Sequence, residues 1–209
     1  MKNIVVSFVS QKGGVGKSTL VRAFATGAMQ SGFAVKVADL DTQQATVTDW
    51  HRQRLNNGYK PVGSIEVFRK TSEAVGHANN YDFLVLDGAA RASVATLEIS
   101  KASDLVVIPS CASRDDLMPA VKLAHELQKN EIPLASIIFA LTRVTTESEI
   151  EDARSFIEAS GYAVLNGCLY EKPGYRQAQN EGLSVLETRF RSLNEKADEL
   201  IDSIISHLS

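Results

Sequence analysis

Residues 11–19 read Gln-Lys-Gly-Gly-Val-Gly-Lys-Ser-Thr and follow directly on the apolar run Ile4-Val5-Val6-Ser7-Phe8-Val9. A strand that runs into closely spaced glycines and then into a helix leaves the chain few ways to fold. Gly13, Gly14 and Gly16 let the backbone bend tightly and aim successive N–H groups into one concavity suited to phosphate oxygens. Lys17 has the reach for β- and γ-phosphates, and the Ser18 hydroxyl suits Mg²⁺. The helix that begins there adds the positive end of its dipole. Gly13, Gly14, Val15, Gly16, Lys17, Ser18 and Thr19 therefore read as a loop for a nucleoside triphosphate. Two details depart from the general pattern: Gln11 stands where a glycine is usual, and Lys12 places a second lysine inside the loop.

The rest of the chain alternates apolar, β-branched runs with helical patterns. Strands are expected over 3–10, 33–39, 65–68, 82–87, 104–109, 135–142 and 163–169, and helices over 17–31, 44–57, 70–79, 93–101, 115–130, 147–160 and 189–208. Runs such as Phe83-Leu84-Val85-Leu86 and Leu105-Val106-Val107-Ile108 are apolar on both faces, as in a parallel sheet covered on both sides. Gly32 is placed to end the first helix, and Thr146 with Glu149 has capping-box spacing. The fold class is α/β, a doubly wound, mostly parallel sheet flanked by helices, with one domain over 1–209. A ligand belongs beyond the carboxyl ends of its strands.

Composition narrows the function classes. At 209 residues, 44% hydrophobic and 22% charged, the chain can build a sizeable core. A net charge of −3 gives no global attraction to nucleic acid, so any such binding needs a local patch. Cys111 and Cys168 make neither a disulfide framework nor a metal motif. His51, His77, His125 and His207 are scattered. No signal segment or membrane-length apolar run is seen, and the cytoplasm is the default location.

Two acidic stretches lie where phosphate chemistry needs them. Val37-Ala38-Asp39-Leu40-Asp41 ends a strand, and alternation puts Asp39 and Asp41 on one side of it. One carboxylate is placed to hold Mg²⁺ through water and the other to orient an attacking water. Phe83-Leu84-Val85-Leu86-Asp87-Gly88 is four apolar residues followed by an acid, so Asp87 stands where a buried strand meets a Mg²⁺ shell. Gly88 permits a close backbone approach there.

These three elements together resemble the deviant Walker A ATPases of the ParA/MinD superfamily, in particular the small ParA-type partition ATPases that have no N-terminal helix-turn-helix. The resemblance covers nearly the whole chain. It is carried by residues 12–19, by Asp-Leu-Asp-Thr-Gln-Gln at 39–44, by Val-Leu-Asp-Gly-Ala at 85–89, and by the late stretch Tyr175–Val185. It implies ATP and Mg²⁺ as cofactors and slow, partner-stimulated hydrolysis. Lys17, Ser18 and Asp87 would inherit phosphate and metal roles, with Asp39 a further metal candidate and Asp41 the position of the hydrolytic water. Lys12 would cross an ATP-bound homodimer to the partner's phosphates. On the residues alone, a lysine pointing into solvent remains the other reading. Thr142 and Arg143 fall near the adenine base, Tyr175 opens a short helix closing the base side, and 113–116 lies near the dimer interface. Thr42 stands where proline is usual, and Ala89-Ala90 where prolines are common.

The same resemblance implies nonspecific double-stranded DNA as a partner, nucleoid association when ATP-bound, and a centromere- or cargo-binding protein that triggers hydrolysis. Candidate DNA contacts are Lys172, Arg176, Arg189 and Arg191, interspersed with Glu171, Glu181, Glu187 and Glu195. The apolar stripe Leu193, Ala197, Leu200, Ile201, Ile204, Ile205 and Leu208 is expected to pack on the sheet rather than on a membrane, because its polar neighbours are acidic. Competing classes are a dethiobiotin-synthetase-like ligase of the same fold and a nucleotide-gated regulator acting only through proteins.

Overall fold

The computed structural model describes residues 3–89 and 94–208. Strands are β1 Ile4–Phe8, β2 Val35–Asp39, β3 Ser64–Val67, β4 Phe83–Asp87, β5 Leu105–Ser110, β6 Ile137–Val144, β7 Ala163–Val164 and β8 Leu169–Tyr170. Helices are α1 Lys17–Gln30, α2 Thr46–Asn56, α3 Thr71–Val75, α4 Val94–Lys101, α5 Arg114–Lys129, α6 Glu147–Ala159, α7 Pro173–Asn180 and α8 Arg191–His207. Every strand pairing among the described residues is parallel, in the order β3-β2-β4-β1-β5-β6-β7, with β8 also on β6.

Strand alternation divides the core into two layers. Val6 and Phe8 of β1, Phe83 and Val85 of β4, and Leu105 and Val107 of β5 pack with α1, α2 and α8. Val5, Leu84, Leu86, Val106 and Ile108 face the other way, into the layer formed with α3 to α6. Both faces are covered, which is why these strands read as continuous apolar runs. Local signals appear where expected. Gly32 adopts φ 87° just after α1 and donates its N–H to Met29 O, and Thr146 and Glu149 cap each other at the start of α6.

Some boundaries move. The expected strand 163–169 breaks into β7 and β8, because Gly167 turns at φ 72° against α8; a Cβ there would lie 2.8 Å from Leu200 N. The expected helix 70–79 shortens to α3 and a 3₁₀ turn at Ala78–Asn80. Ser93, the expected start of α4, lies outside the described residues. Strand β6 runs on to Val144, taking Arg143 into an irregularity of its ladder with β8.

The stripe on α8 buries Ala197, Leu200, Ile201 and Ile204. Ile201 packs so closely on α1 that a Cβ on Gly27 would lie 2.8 Å from its Cγ2. Here the acidic-flanked stripe is core. No helix among the described residues is long and apolar enough to cross a membrane.

Candidate nucleotide site

The loop between β1 and α1 turns on two left-handed glycines, Gly14 at φ 80° and Gly16 at φ 82°. Gly16 is the N-cap of α1 and offers no side chain, so the first N–H groups of the helix are left to face the cleft. The loop is held from below. The buried Thr142 hydroxyl donates to Val15 O at 2.7 Å, and a Cβ on Gly16 would lie 3.3 Å from the Thr142 side chain. Thr142, expected at the base, is therefore the loop's support and does not line the cleft.

Behind the loop, Lys17 and Asp87 form an ion pair in which both side chains are buried. The Ser18 hydroxyl donates to the other Asp87 oxygen at 3.0 Å. Burial pushes the Asp87 carboxyl up from its ordinary value, while the charge and hydrogen bond of Lys17 pull the other way. The donor set suits Mg²⁺, a hard cation that takes one or two carboxylate or hydroxyl oxygens and completes its shell with phosphate and water. Among the described residues no group of three or more His, Cys, Asp or Glu is arranged for a metal.

Asp39 and Asp41 separate. Asp39 is fully buried at the end of β2, and one of its oxygens accepts from Val47 N, Thr48 N and Thr48 Oγ1 at 3.1, 3.1 and 3.2 Å. Its other oxygen accepts from Asp41 N at 3.3 Å. Asp39, expected as a metal candidate, thus has its carboxylate engaged in capping α2, while Asp41 lies two residues on, just before the turn at 42–44. Asp41 lines the cleft, with one oxygen accepting from Gln44 N at 3.1 Å.

The cleft encloses about 560 Å³, bounded by the loop, Asp41, Arg143, Tyr175 and Arg176 among others. Arg143 sits in a left-handed backbone conformation (φ 54°), donates to Gly14 O at 2.9 Å and pairs with Glu171 at 2.7 Å. A non-glycine residue at positive φ beside a ligand loop is backbone strain at the site. Tyr175 is buried on α7, its hydroxyl donating to Leu193 O at 2.7 Å, and burial pushes its phenol up to about 12. Tyr175 thus lines the cleft, and its hydroxyl anchors the start of α8.

Lys12 stands at the exposed rim, bound to Asp116 at 2.5 Å and to Asp115 O at 3.3 Å on α5. That bond to Asp116 raises the lysine above its ordinary value. So Lys12 neither lies buried nor points free. Of the candidate DNA contacts, Lys172 and Arg176 line the cleft mouth. Arg189 lies over the Phe190 ring at 4.8 Å, and Arg191 pairs with Glu195 at 2.7 Å. Of the Ala89-Ala90 pair, Ala90 lies outside the described residues.

Sequence reasoning missed Arg22 and Gln179. Arg22 is one turn beyond Ser18 on α1 and lines the cleft. Its signal was a lone charge within the apolar run Leu20-Val21-Arg22-Ala23-Phe24, four residues past the loop serine and so on the same helix face.

A parallel doubly wound sheet carrying a glycine loop, a loop lysine and a strand-end aspartate at the carboxyl edge defines a P-loop nucleotide-binding fold. The chain belongs to the CobQ/CobB/MinD/ParA nucleotide binding domain family, whose profile matches residues 6–185. No curated protein sequence matches it significantly. The cell division ATPase MinD of Pyrococcus furiosus superposes with a TM-score of 0.80 at 18% identity, covering 99% of this chain and 100% of that one. The septum site-determining protein MinD of Pyrococcus horikoshii, complexed with Mg-ADP, gives 0.75 at 17% identity over 96% and 95%. A putative plasmid partition protein of Borrelia burgdorferi bound to AMPPNP gives 0.71 at 14% identity over 98% and 99%.

Proposed function

We propose that this chain is an ATP- and Mg²⁺-dependent ATPase acting as one domain over 1–209, and that it dimerises with ATP, binds DNA nonspecifically and moves a plasmid, chromosome or other large cargo. The observation that carries the reading is the buried Lys17–Asp87 pair with the Ser18 hydroxyl on it beneath the glycine loop, joined by a second loop lysine at the exposed rim. Family membership and the nucleotide-bound state of two structural neighbours support it.

In this reading Lys17 and the α1 N-terminus take the phosphates. Ser18 and Asp87 hold Mg²⁺, which when bound neutralises charge on the phosphoryl oxygens. Asp41 orients a water for in-line attack on the γ-phosphorus; the bond to the bridging oxygen breaks, and ADP and inorganic phosphate leave. Lys12 exchanges Asp116 for the phosphates of a second subunit. Turnover is slow until a partner protein intervenes. Lys172, Arg176, Arg189 and Arg191 are the proposed DNA contacts; with net charge −3, two half-patches brought together by dimerisation serve better than one. The site of action is the cytoplasm, on the nucleoid when ATP is bound.

The test is binding to a random-sequence duplex without nucleotide, with ADP and with ATP–Mg²⁺, at two salt concentrations. Binding only with ATP, falling steeply with salt, is expected. Lys12→Ala is expected to bind ATP as a monomer yet fail to bind DNA. ATP-dependent dimers without DNA binding in any state would replace partition with a protein-only regulator, and turnover dependent on a small carboxylate acceptor would point to a ligase.

A further inference from the structure

We propose that Arg22 is the positioning residue for the loop carrying Asp41, tying that loop to the α7 wall of the cleft; the inference rests on the ATPase reading above. The loop Asp41–Ala45 needs such a tie. Thr42, Gln43 and Gln44 are exposed, and Ala45 holds an unfavourable left-handed conformation at φ 44°. At its β2 end the loop is pinned by Asp39. At its other end it enters α2 at Thr46, and there the Arg22 guanidinium donates to Thr46 O at 2.8 Å.

The second arm of the same guanidinium donates to Gln179 Oε1 on α7 at 3.0 Å. That oxygen also accepts from Thr19 Oγ1 at 3.2 Å, so one amide joins the phosphate loop, Arg22 and the base-side wall. The group lies 5.3 Å from the Trp50 ring centroid, against α2. A planar fork that spans two acceptors on different elements is an arginine property which lysine does not reproduce. Its Nε is buried with no partner among the described residues. Burial lowers the guanidinium to about 10, with Asp87 and Asp39 opposing, and it remains a cation at neutral pH.

The variants are Arg22→Lys, which keeps the charge and loses the fork, and Gln179→Leu, which removes the α7 acceptor and leaves the arginine in place. Amide hydrogen exchange over 41–48, affinity for a nonhydrolysable ATP analogue, and kcat are measured in each. Faster exchange confined to 41–48, kcat lower by about tenfold and analogue affinity within about twofold are expected. Unchanged exchange over 41–48 in both variants would overturn the positioning role, as would affinity falling in step with kcat, which would make Arg22 a ligand contact. If Arg22→Lys is unstable, Gln179→Leu decides by the same readouts. A wild-type chain without ATPase activity whose variants still show the faster exchange would overturn the ATPase reading and leave the tie standing.

Discussion

The ends of β2 and β4 lie side by side, with Asp39 paired in register with Asp87, and both aspartates are buried. At the end of β2 the carboxylate accepts two backbone N–H groups and one hydroxyl of α2. At the end of β4 it meets Lys17 and Ser18, two side chains at the start of α1 that have their own reach into the cleft. A buried carboxylate held mainly by backbone N–H groups is scaffold, because those donors cannot leave without unwinding a helix. One held by movable side chains can exchange them for a ligand. In the proposed ATPase reading it is the partners, not the position along the strand, that divide structural acid from chemical acid.

The comparison breaks most sharply at Asp87. Asp87→Asn is expected to lower kcat for ATP by about a thousandfold while α2 stays folded; steady-state hydrolysis beside circular dichroism checks both. Asp39→Ala should do the reverse. It leaves three donors at the α2 N-terminus without their acceptor and is expected to destabilise the protein by about 3 kcal/mol, with ATP affinity of the folded fraction close to wild type. Denaturant unfolding with and without nucleotide measures it. Hydrolysis lost without a stability change in Asp39→Ala would erase the distinction.

How much of this was legible in the sequence follows the same division. The glycine loop, the strand end at Asp87, the capping pair Thr146–Glu149 and the turn at Gly32 were readable because each is a local backbone requirement expressed within a few residues. The capping contacts of Asp39 were not legible, because alternation along a strand says which side a residue faces and nothing about what stands there. The support that Thr142 gives the loop was not legible for the same reason: its partner, Val15 O, is 127 positions away.

Thr142→Val tests that support. It is expected to weaken nucleotide binding roughly fivefold, the loss of one buried hydrogen bond of about 1 kcal/mol, with little change in kcat at saturation. A calorimetric titration reads the affinity. A kcat loss with unchanged affinity would move Thr142 from the loop's support to the chemistry.

The smallest effect belongs to His51 on α2. Its ring is buried and Nε2 has no partner among the described residues. Burial, then the Arg54 charge, holds it below its ordinary value. The unfolded chain therefore binds the proton more readily, and stability contributed by neutral His51 is present above about pH 6.5 and declines as pH falls below it. His51→Gln is expected to flatten stability against pH between about 6.5 and 5, by at most the one-proton slope of about 1.4 kcal/mol per pH unit; urea midpoints across that range measure the change.

The sequence alone determined that a parallel α/β sheet would carry a phosphate loop at its carboxyl edge, since glycine spacing, apolar runs and caps act over a few residues. Tertiary structure decided which aspartate caps and which pairs with Lys17, that Lys12 rests on Asp116, and that Arg22 spans α2 and α7. Those outcomes depend on groups far apart in the chain, brought within hydrogen-bond distance only when the layers pack.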